Sequence, residues 1–394
     1  MQETWRWFGP DDPVTLDNIV QAGATGVVTS LHHVPTGEVW PLQEVQQRLH
    51  TIRARGLEWS VVESVPVHND IKTRSGEFEA YTENYAETIR NIGAVGVDVV
   101  CYNFMPVVDW TRTNLMHQLP NASYALRFEM SDFAAYDVFM LQRENAASDY
   151  APELLAAARS RFDAMDESTR DQLEKNIIAG MPGGEGSYDR ASIRAAIAEF
   201  IALGTDGLRN NLFAFLEAII PVAEAASVRM CVHPDDPPFS LFGLPRVVST
   251  AEDARALLSA VPSPSNGLTL CAGSFGARAD NDLVQLAKEF GPAIHFVHLR
   301  NVKREPDGSF FESEHLDGDN DMVGLIEALL DEEQRREAEG RADGIPMRPD
   351  HGHLLGNEIE TPGVNPGYSF AGRLKGLAEL RGVMHALETV RRRQ

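Results

Sequence analysis

Gly344-Ile345-Pro346-Met347-Arg348-Pro349-Asp350-His351-Gly352-His353 is a short apolar run that ends in a carboxylate and an imidazole. Pro349 has no amide hydrogen to give to a sheet ladder, so a strand that reaches it stops there. Asp350 and His351 are then left on an exposed turn, where side chains can converge on a ligand. Three more strand-like runs finish on a residue that binds metals: Met230-Cys231-Val232-His233, Leu268-Thr269-Leu270-Cys271 and Ile294-His295-Phe296-Val297-His298.

Outward from these runs the chain keeps one rhythm. Trp5 to Phe8, Gly26 to Leu31, Leu57 to Ser64 and Val97 to Phe104 read as strands one to four. Val228 to His233, Gly267 to Cys271, Ala293 to His298 and Ile345 to Met347 read as strands five to eight. Amphipathic helices separate them: one starting at Thr15, one opened by Pro41 and stopped at Gly56, and others at 78–92, 251–260 and 283–290. A helix through Leu325 and Leu330 and a closing helix over 374–390 complete the series. Strands alternating with helices at this spacing pair in parallel through right-handed crossovers. Eight such units predict an α/β chain, a single-domain (β/α)₈ TIM barrel over residues 1–394. The rhythm fails between about 105 and 190, which holds no comparable strand. This segment is predicted to be a mainly helical insertion after strand four, part of it a cap, with a loop at Met181–Ser187. Helices at 192–203 and 212–226 bring the chain back. The charged run Asp331–Arg341 reads as a solvated helix face or a loop.

The 394 residues are 43% hydrophobic and 24% charged, an ordinary globular composition with enough length for a large core. The formal net charge is -23, and such a surface repels nucleic acid and anionic membrane, so neither is expected as a partner. An anionic substrate would need local positive potential, from a divalent cation and a few Arg or Lys side chains. Cys101, Cys231 and Cys271 are too few, and odd in number, for a disulfide framework; they point to a reducing cytoplasm. The first residues lack the pattern of a secretory leader, and no apolar run is long enough to span a membrane.

Active sites of such barrels lie at the C-terminal ends of the strands. His233, Cys271, His298 and Asp350 stand at that end of four consecutive strands, so the four side chains can meet. Two imidazoles, a thiolate and a carboxylate suit Mn²⁺, Fe²⁺, Co²⁺ or Zn²⁺ better than Mg²⁺ or Ca²⁺, which prefer oxygen alone. Cys231 shares a strand face with His233 but sits a layer deeper, and it and Cys101 read as core thiols. His351, beside a ligand on a tight turn, can approach a bound substrate without binding the cation, and imidazole is the usual acid or base near neutral pH. His353 reads either as a support for a ligand or as a substrate contact. Asn365-Pro366-Gly367-Tyr368 sets a phenol on a stiff turn, either as a structural tyrosine or as a proton donor or acceptor at the same site.

Seven stretches resemble the mannonate dehydratase family, metal-dependent enzymes on a xylose-isomerase-like barrel: Trp5–Pro10, Ser64–Lys72, Cys231–Pro238, Leu270–Phe275, His298–Val302, Arg348–His353 and Asn365–Ser369. They run from the first residues to the last helix. The resemblance implies dehydration of D-mannonate to 2-keto-3-deoxy-D-gluconate in hexuronate degradation, with Mn²⁺ or Fe²⁺, in a homo-oligomer. It implies His233, Cys271, His298 and Asp350 as metal ligands and His351 and Tyr368 as acid and base, without saying which is which. Arg6, Arg300, Arg348 and Lys72 are then candidates for the substrate carboxylate, since an anion asks for a bidentate donor. His32, His68, Asn69 and Asp70 are candidates for its hydroxyls. An aldose–ketose isomerase on the same barrel would hold its metals mainly with carboxylates, unlike this donor set. A non-catalytic sugar-acid sensor would have little use for both His351 and Tyr368.

Overall fold

Twelve strands form among the described residues, which are 1–178, 188–341 and 344–393 of a computed structural model. In chain order they are β1 (Gln2–Arg6), β2 (Gly26–Thr29), β3 (Glu58–Glu63), β4 (Val99–Tyr102), β5 (Asn114–Gln118), β6 (Tyr124–Phe128), β7 (Arg229–Val232), β8 (Asn266–Cys271), β9 (Ile294–His298), β10 (Val302–Arg304), β11 (Phe310–Glu312) and β12 (Pro346–Arg348). Eight of them, β1, β2, β3, β4, β7, β8, β9 and β12, pair in parallel in that order and close on themselves through β12 and β1. The eight-stranded barrel expected from the rhythm of the chain is present.

Alternation along the strands sends one side chain in two into the barrel. Val28, Val61, Val99, Cys101, Cys231 and Phe296 fill it, which makes the centre a packed plug. Cys101 and Cys231 lie in that plug: the Thr269 hydroxyl donates to Cys101 Sγ at 3.2 Å, and Cys231 donates to the Val100 carbonyl at 3.5 Å. The other faces of the strands pack against helices whose starts are fixed locally. Thr15 with Asn18, and Thr250 with Asp253, form reciprocal capping boxes. The helices expected over 192–203 and 212–226 form one run, Arg190–Ala225, broken at Gly204, whose φ of 68° suits glycine. The charged run after Asp331 continues the helix Met322–Ala338. Among the described residues, no helix is long and apolar enough to cross a membrane.

Two expectations need correction. The first strand begins at Gln2 and ends at Arg6, so Trp7 and Phe8 leave it and turn onto the mouth of the barrel. The segment 105–190 does contain strands. β5 and β6 form an antiparallel pair, extended by β11 and β10 from the loop after β9. These strands are three to five residues long, and no residue of β5 is buried. They form two short hairpins, β5–β6 and β10–β11, joined into one sheet by the pairing of β6 with β11, far apart in the chain, which local periodicity cannot display. The helices in the described part of the insertion include Met130–Ala135, Pro152–Ala164 and Glu167–Ile178, with loop before and between them. The loop expected at Met181–Ser187 lies outside the described residues.

Candidate active site

The register of the barrel builds the site. Cys271 pairs with His298, and His298 with Arg348, so three neighbouring strands end at one level. β7 ends one residue before His233. The ligand atoms of His233, Cys271 and His298 lie within 4.8 Å of one another, and all three residues are buried. The His233 and His298 rings are 5.1 Å apart. His233 Nδ1 donates to the Pro234 carbonyl at 2.7 Å, which turns Nε2 towards the cluster. His298 is fully buried, yet neither ring nitrogen makes a hydrogen bond. Buried polar atoms are nearly always satisfied, so this pair asks for a ligand.

Charge reinforces the case. Burial alone would push the Cys271 thiol up, but Arg300, His233 and His298 outweigh it and hold the thiol well below its ordinary value. Burial opposes charge on His233 as well, and Cys271 overrides it, raising the imidazole to about 10. Thiolate and imidazolium stabilise each other, and a cation in their midst would take the place of that proton. Nitrogen, nitrogen and sulfur donors, one imidazole without hydrogen bonds and a thiolate fit a borderline divalent metal.

Asp350 stands beside this cluster. Its Oδ2 is 3.8 Å from Cys271 Sγ and 3.7 Å from His298 Nδ1. Its backbone is left-handed, with φ of 63°, a conformation that Asp tolerates better than most residues and that aims the carboxylate inward. Arg300 Nε donates to Oδ2 at 2.6 Å and Arg348 Nη1 donates to Oδ1. Burial opposes ionisation, and Arg348, His351, His298 and Arg300 overcome it, leaving Asp350 well below the usual carboxylate range. Arg348 also donates to both oxygens of Glu63, at 3.1 and 2.9 Å.

His351 and Tyr368 meet across the mouth. His351 Nε2 is 3.3 Å from the Tyr368 hydroxyl, and the rings meet edge to face at 5.0 Å. Trp110, from the insertion, stands edge-on to His351 at 5.8 Å, and Phe8 does the same to Tyr368 at 4.9 Å. Burial raises the Tyr368 phenol, helped by Asp350, to about 12. His353 Nε2 donates to the Glu312 carbonyl at 3.0 Å, in keeping with a supporting role.

The expected substrate contacts are spread round the rim. Arg6, ending β1, reaches Glu63 at 3.0 Å and His32 at 3.5 Å. Burial, with Arg6 and Arg48, lowers His32 to about 3, so its ring is neutral. His68 caps the short helix Asn69–Thr73, accepting from the Asp70 amide, and stacks on Tyr81 at 4.0 Å. Lys72 is buried, 3.7 Å from Asp109. Arg300 and Arg348 have their N–H groups turned to carboxylates.

Sequence reasoning missed Glu63, Asp236, Glu312 and Arg112. Arg112 and Arg300 both donate to Asp236, and both donate to Glu312 Oε1, at 2.8 and 2.7 Å. All four are buried. Glu63 ends β3 just as His298 ends β9, so the strand-end rule could have found it. Asp236 lies within the stretch after His233. Arg112 and Glu312 carry no such signal, because only the small sheet brings them together.

Fold and site together define a (β/α)₈-barrel enzyme with an imidazole–phenol pair beside a cluster that could hold a metal ion. Residues 1–394 match the model of the D-mannonate dehydratase family, and the chain belongs to that family of hydro-lyases. The mannonate dehydratase of Saccharophagus degradans is 70% identical over 393 residues, 100% of this chain and 99% of the relative. Mannonate dehydratase 2 of Agrobacterium fabrum is 57% identical over 394 residues, again 100% of this chain and 99% of the relative. The crystal structure of mannonate dehydratase from Streptococcus suis serotype 2 is 33% identical, with a TM-score of 0.79, over 99% of this chain and 94% of that one.

Proposed function

We propose that the protein dehydrates D-mannonate to 2-keto-3-deoxy-D-gluconate, a step of hexuronate degradation, with His351 as base and Tyr368 as acid. The observation that carries this reading is the contact between His351 Nε2 and the Tyr368 hydroxyl, with His351 next in the chain to Asp350, which borders the His233, Cys271 and His298 cluster. The C2 proton, next to a carboxylate, is only weakly acidic, and hydroxide leaves poorly, so the reaction needs both a base and an acid. His351 Nε2 takes the C2 proton as the C–H pair becomes the C2=C3 double bond and the C3–O bond breaks. A phenol raised to about 12 keeps its proton at neutral pH, so Tyr368 can pass that proton to the departing hydroxyl, which leaves as water. The enol then tautomerises to the 2-keto acid.

His233, Cys271 and His298, with Asp350 alongside, would hold the divalent cation, Mn²⁺ or Fe²⁺. When bound it supplies positive charge against which substrate oxygens and the developing enolate-like charge are stabilised. Arg300 and Arg348 orient Asp350 in this reading, while Arg6, His32, His68 and Lys72 face the substrate hydroxyls and carboxylate. Arg246 joins them. All three of its guanidinium nitrogens are buried without a hydrogen bond, and its nearest carboxylate, Asp235, is 3.8 Å away. A sugar-acid carboxylate is the anion we assign to it. The same reading takes the protein as a cytoplasmic homo-oligomer. Three free, buried cysteines support the compartment, and the family resemblance supports the assembly.

The test is to incubate purified protein, loaded with Mn²⁺ or Fe²⁺, with D-mannonate and assay for a 2-keto acid. Keto acid forms if the reading holds. Folded protein that makes none with any divalent metal overturns it.

A further inference from the structure

The turn that carries His351 is held from one side by a single short segment. His315 Nε2 donates to the Pro349 carbonyl at 2.8 Å. His353 Nε2 donates to the Glu312 carbonyl at 3.0 Å, and Glu312 Oε1 is 3.2 Å from His351 Nδ1. Glu312 therefore grips the turn twice, by its backbone and by its side chain. It ends β11, where alternation turns Phe310 and Glu312 inward together, both buried, while Phe311 faces the other way.

We propose that Glu312 is a positioning residue for His351. It holds the imidazole with its proton on Nδ1, so that the bare Nε2 faces the Tyr368 hydroxyl and is free to take the C2 proton of the substrate. The proposal rests on the assignment of His351 as base. Oε1 of Glu312 also receives Arg112 Nη2 at 2.8 Å and Arg300 Nη1 at 2.7 Å. A guanidinium has only donors, so this oxygen is fixed as an acceptor and the carboxylate as ionised. Burial would favour the acid form, but Arg300, His351 and Arg112 keep Glu312 far below the usual carboxylate range. Nδ1 must then be the donor, and in the neutral ring Nε2 is the bare nitrogen. A carboxylate that orients an imidazole and fixes its tautomer recurs in unrelated enzymes.

The arrangement also ties the insertion to the chemistry. Arg112 stacks over Trp110 at 4.7 Å and over Phe310 at 4.8 Å. Trp110 packs on His351, and Arg112 holds the carboxylate that holds its Nδ1. The Trp110–Arg112 segment thus contacts one side of the imidazole directly and secures its Nδ1 edge through Glu312.

The test uses protein labelled with ¹⁵N-histidine and loaded with diamagnetic Zn²⁺, with His351 assigned by loss of its signals in His351→Asn. In the wild type Nδ1 carries the proton and Nε2 does not. In Glu312→Met that preference disappears, and kcat on D-mannonate under Mn²⁺ falls about 100-fold with KM little changed; Glu312→Gln, which keeps an acceptor oxygen, recovers about tenfold of the loss. A wild-type His351 with its proton on Nε2, or on both nitrogens, overturns the proposal. So does Glu312→Met that keeps both the Nδ1–H pattern and its kcat. Should Glu312→Met fail to fold, the wild-type spectrum and Glu312→Gln still decide the matter. A wild type that makes no keto acid defeats the reading of the reaction, while the nitrogen spectrum still judges Glu312.

Discussion

The Nε2 atom of His351 stands 3.3 Å from the hydroxyl of Tyr368, and both residues are buried. Two groups able to exchange a proton, on separate loops, share one small volume at the barrel mouth. Tyr368→Phe removes the hydroxyl and leaves the ring packed against Phe8. If Tyr368 delivers the proton to the leaving hydroxyl, kcat falls by roughly 10²–10⁴ while KM and bound metal hardly change. Steady-state kinetics beside a metal analysis checks this, and near-normal turnover would remove Tyr368 from the mechanism.

The cluster makes a separate prediction about the thiols. Cys271→Ser and His298→Ala each lose most of the bound divalent metal after dialysis, because each removes a donor from a set confined within 4.8 Å. Cys101→Ser keeps its metal, because Cys101 lies in the plug beneath, receiving the Thr269 hydroxyl. Elemental analysis of the dialysed proteins reads all three. Metal retained in Cys271→Ser, with the imidazoles intact, would mean that the sulfur is not a ligand.

The parts legible in the sequence are those whose cause is local. His233, Cys271 and His298 could be placed because strand ends can be read from apolar runs, and strand ends in a parallel barrel share one rim. His351 and Tyr368 followed from a proline-bounded and a glycine-bounded turn. Arg112 and Glu312 could not be found this way. Arg112 stands just before β5 and Glu312 ends β11, strands of a few residues that meet only because β6 pairs with β11 far along the chain, and an isolated buried charge has no periodic signature. The roles of Arg300 and Arg348 were obscured for a related reason. Sequence shows a cation but not whether carboxylates such as Asp236, Glu63 and Asp350 already surround it.

The buried network of Arg112, Arg300, Asp236 and Glu312 predicts an acid dependence of stability. Burial raises Asp236, but Arg112 and Arg300 outweigh it, so its folded-state value lies below the ordinary carboxylate value. The folded state therefore holds this proton more weakly than the unfolded chain. The contribution is complete above about pH 4, where the unfolded carboxyl is ionised, and drains away as pH falls through the lower folded value. Asp236→Asn, measured by urea unfolding of metal-free protein, is less stable by about 3–5 kcal/mol at pH 7. Its deficit narrows below about pH 4. A deficit equal at pH 7 and pH 3 would show that the charge of Asp236 is not what the network uses.

Arg246 gives the sharpest separation of binding from architecture. Its guanidinium is buried with Asp235, Asp236 and Asp109 around it, yet none of its nitrogens makes a hydrogen bond. Burial lowers its pKa, opposed by those carboxylates. A structural arginine of this kind, when deleted, leaves carboxylates stranded and costs stability. An arginine whose acceptor is the substrate behaves in the opposite way, since its removal relieves the resting protein of a poorly satisfied charge. Arg246→Met is therefore expected to unfold at a temperature no lower than the wild type. Its KM for D-mannonate rises by about 10–100-fold, the worth of a charge-assisted hydrogen bond to a carboxylate, with kcat changed far less. Thermal unfolding and steady-state kinetics of the one variant measure both. A lowered unfolding temperature with an unchanged KM would return Arg246 to the scaffold and leave the carboxylate to Arg6 or Lys72.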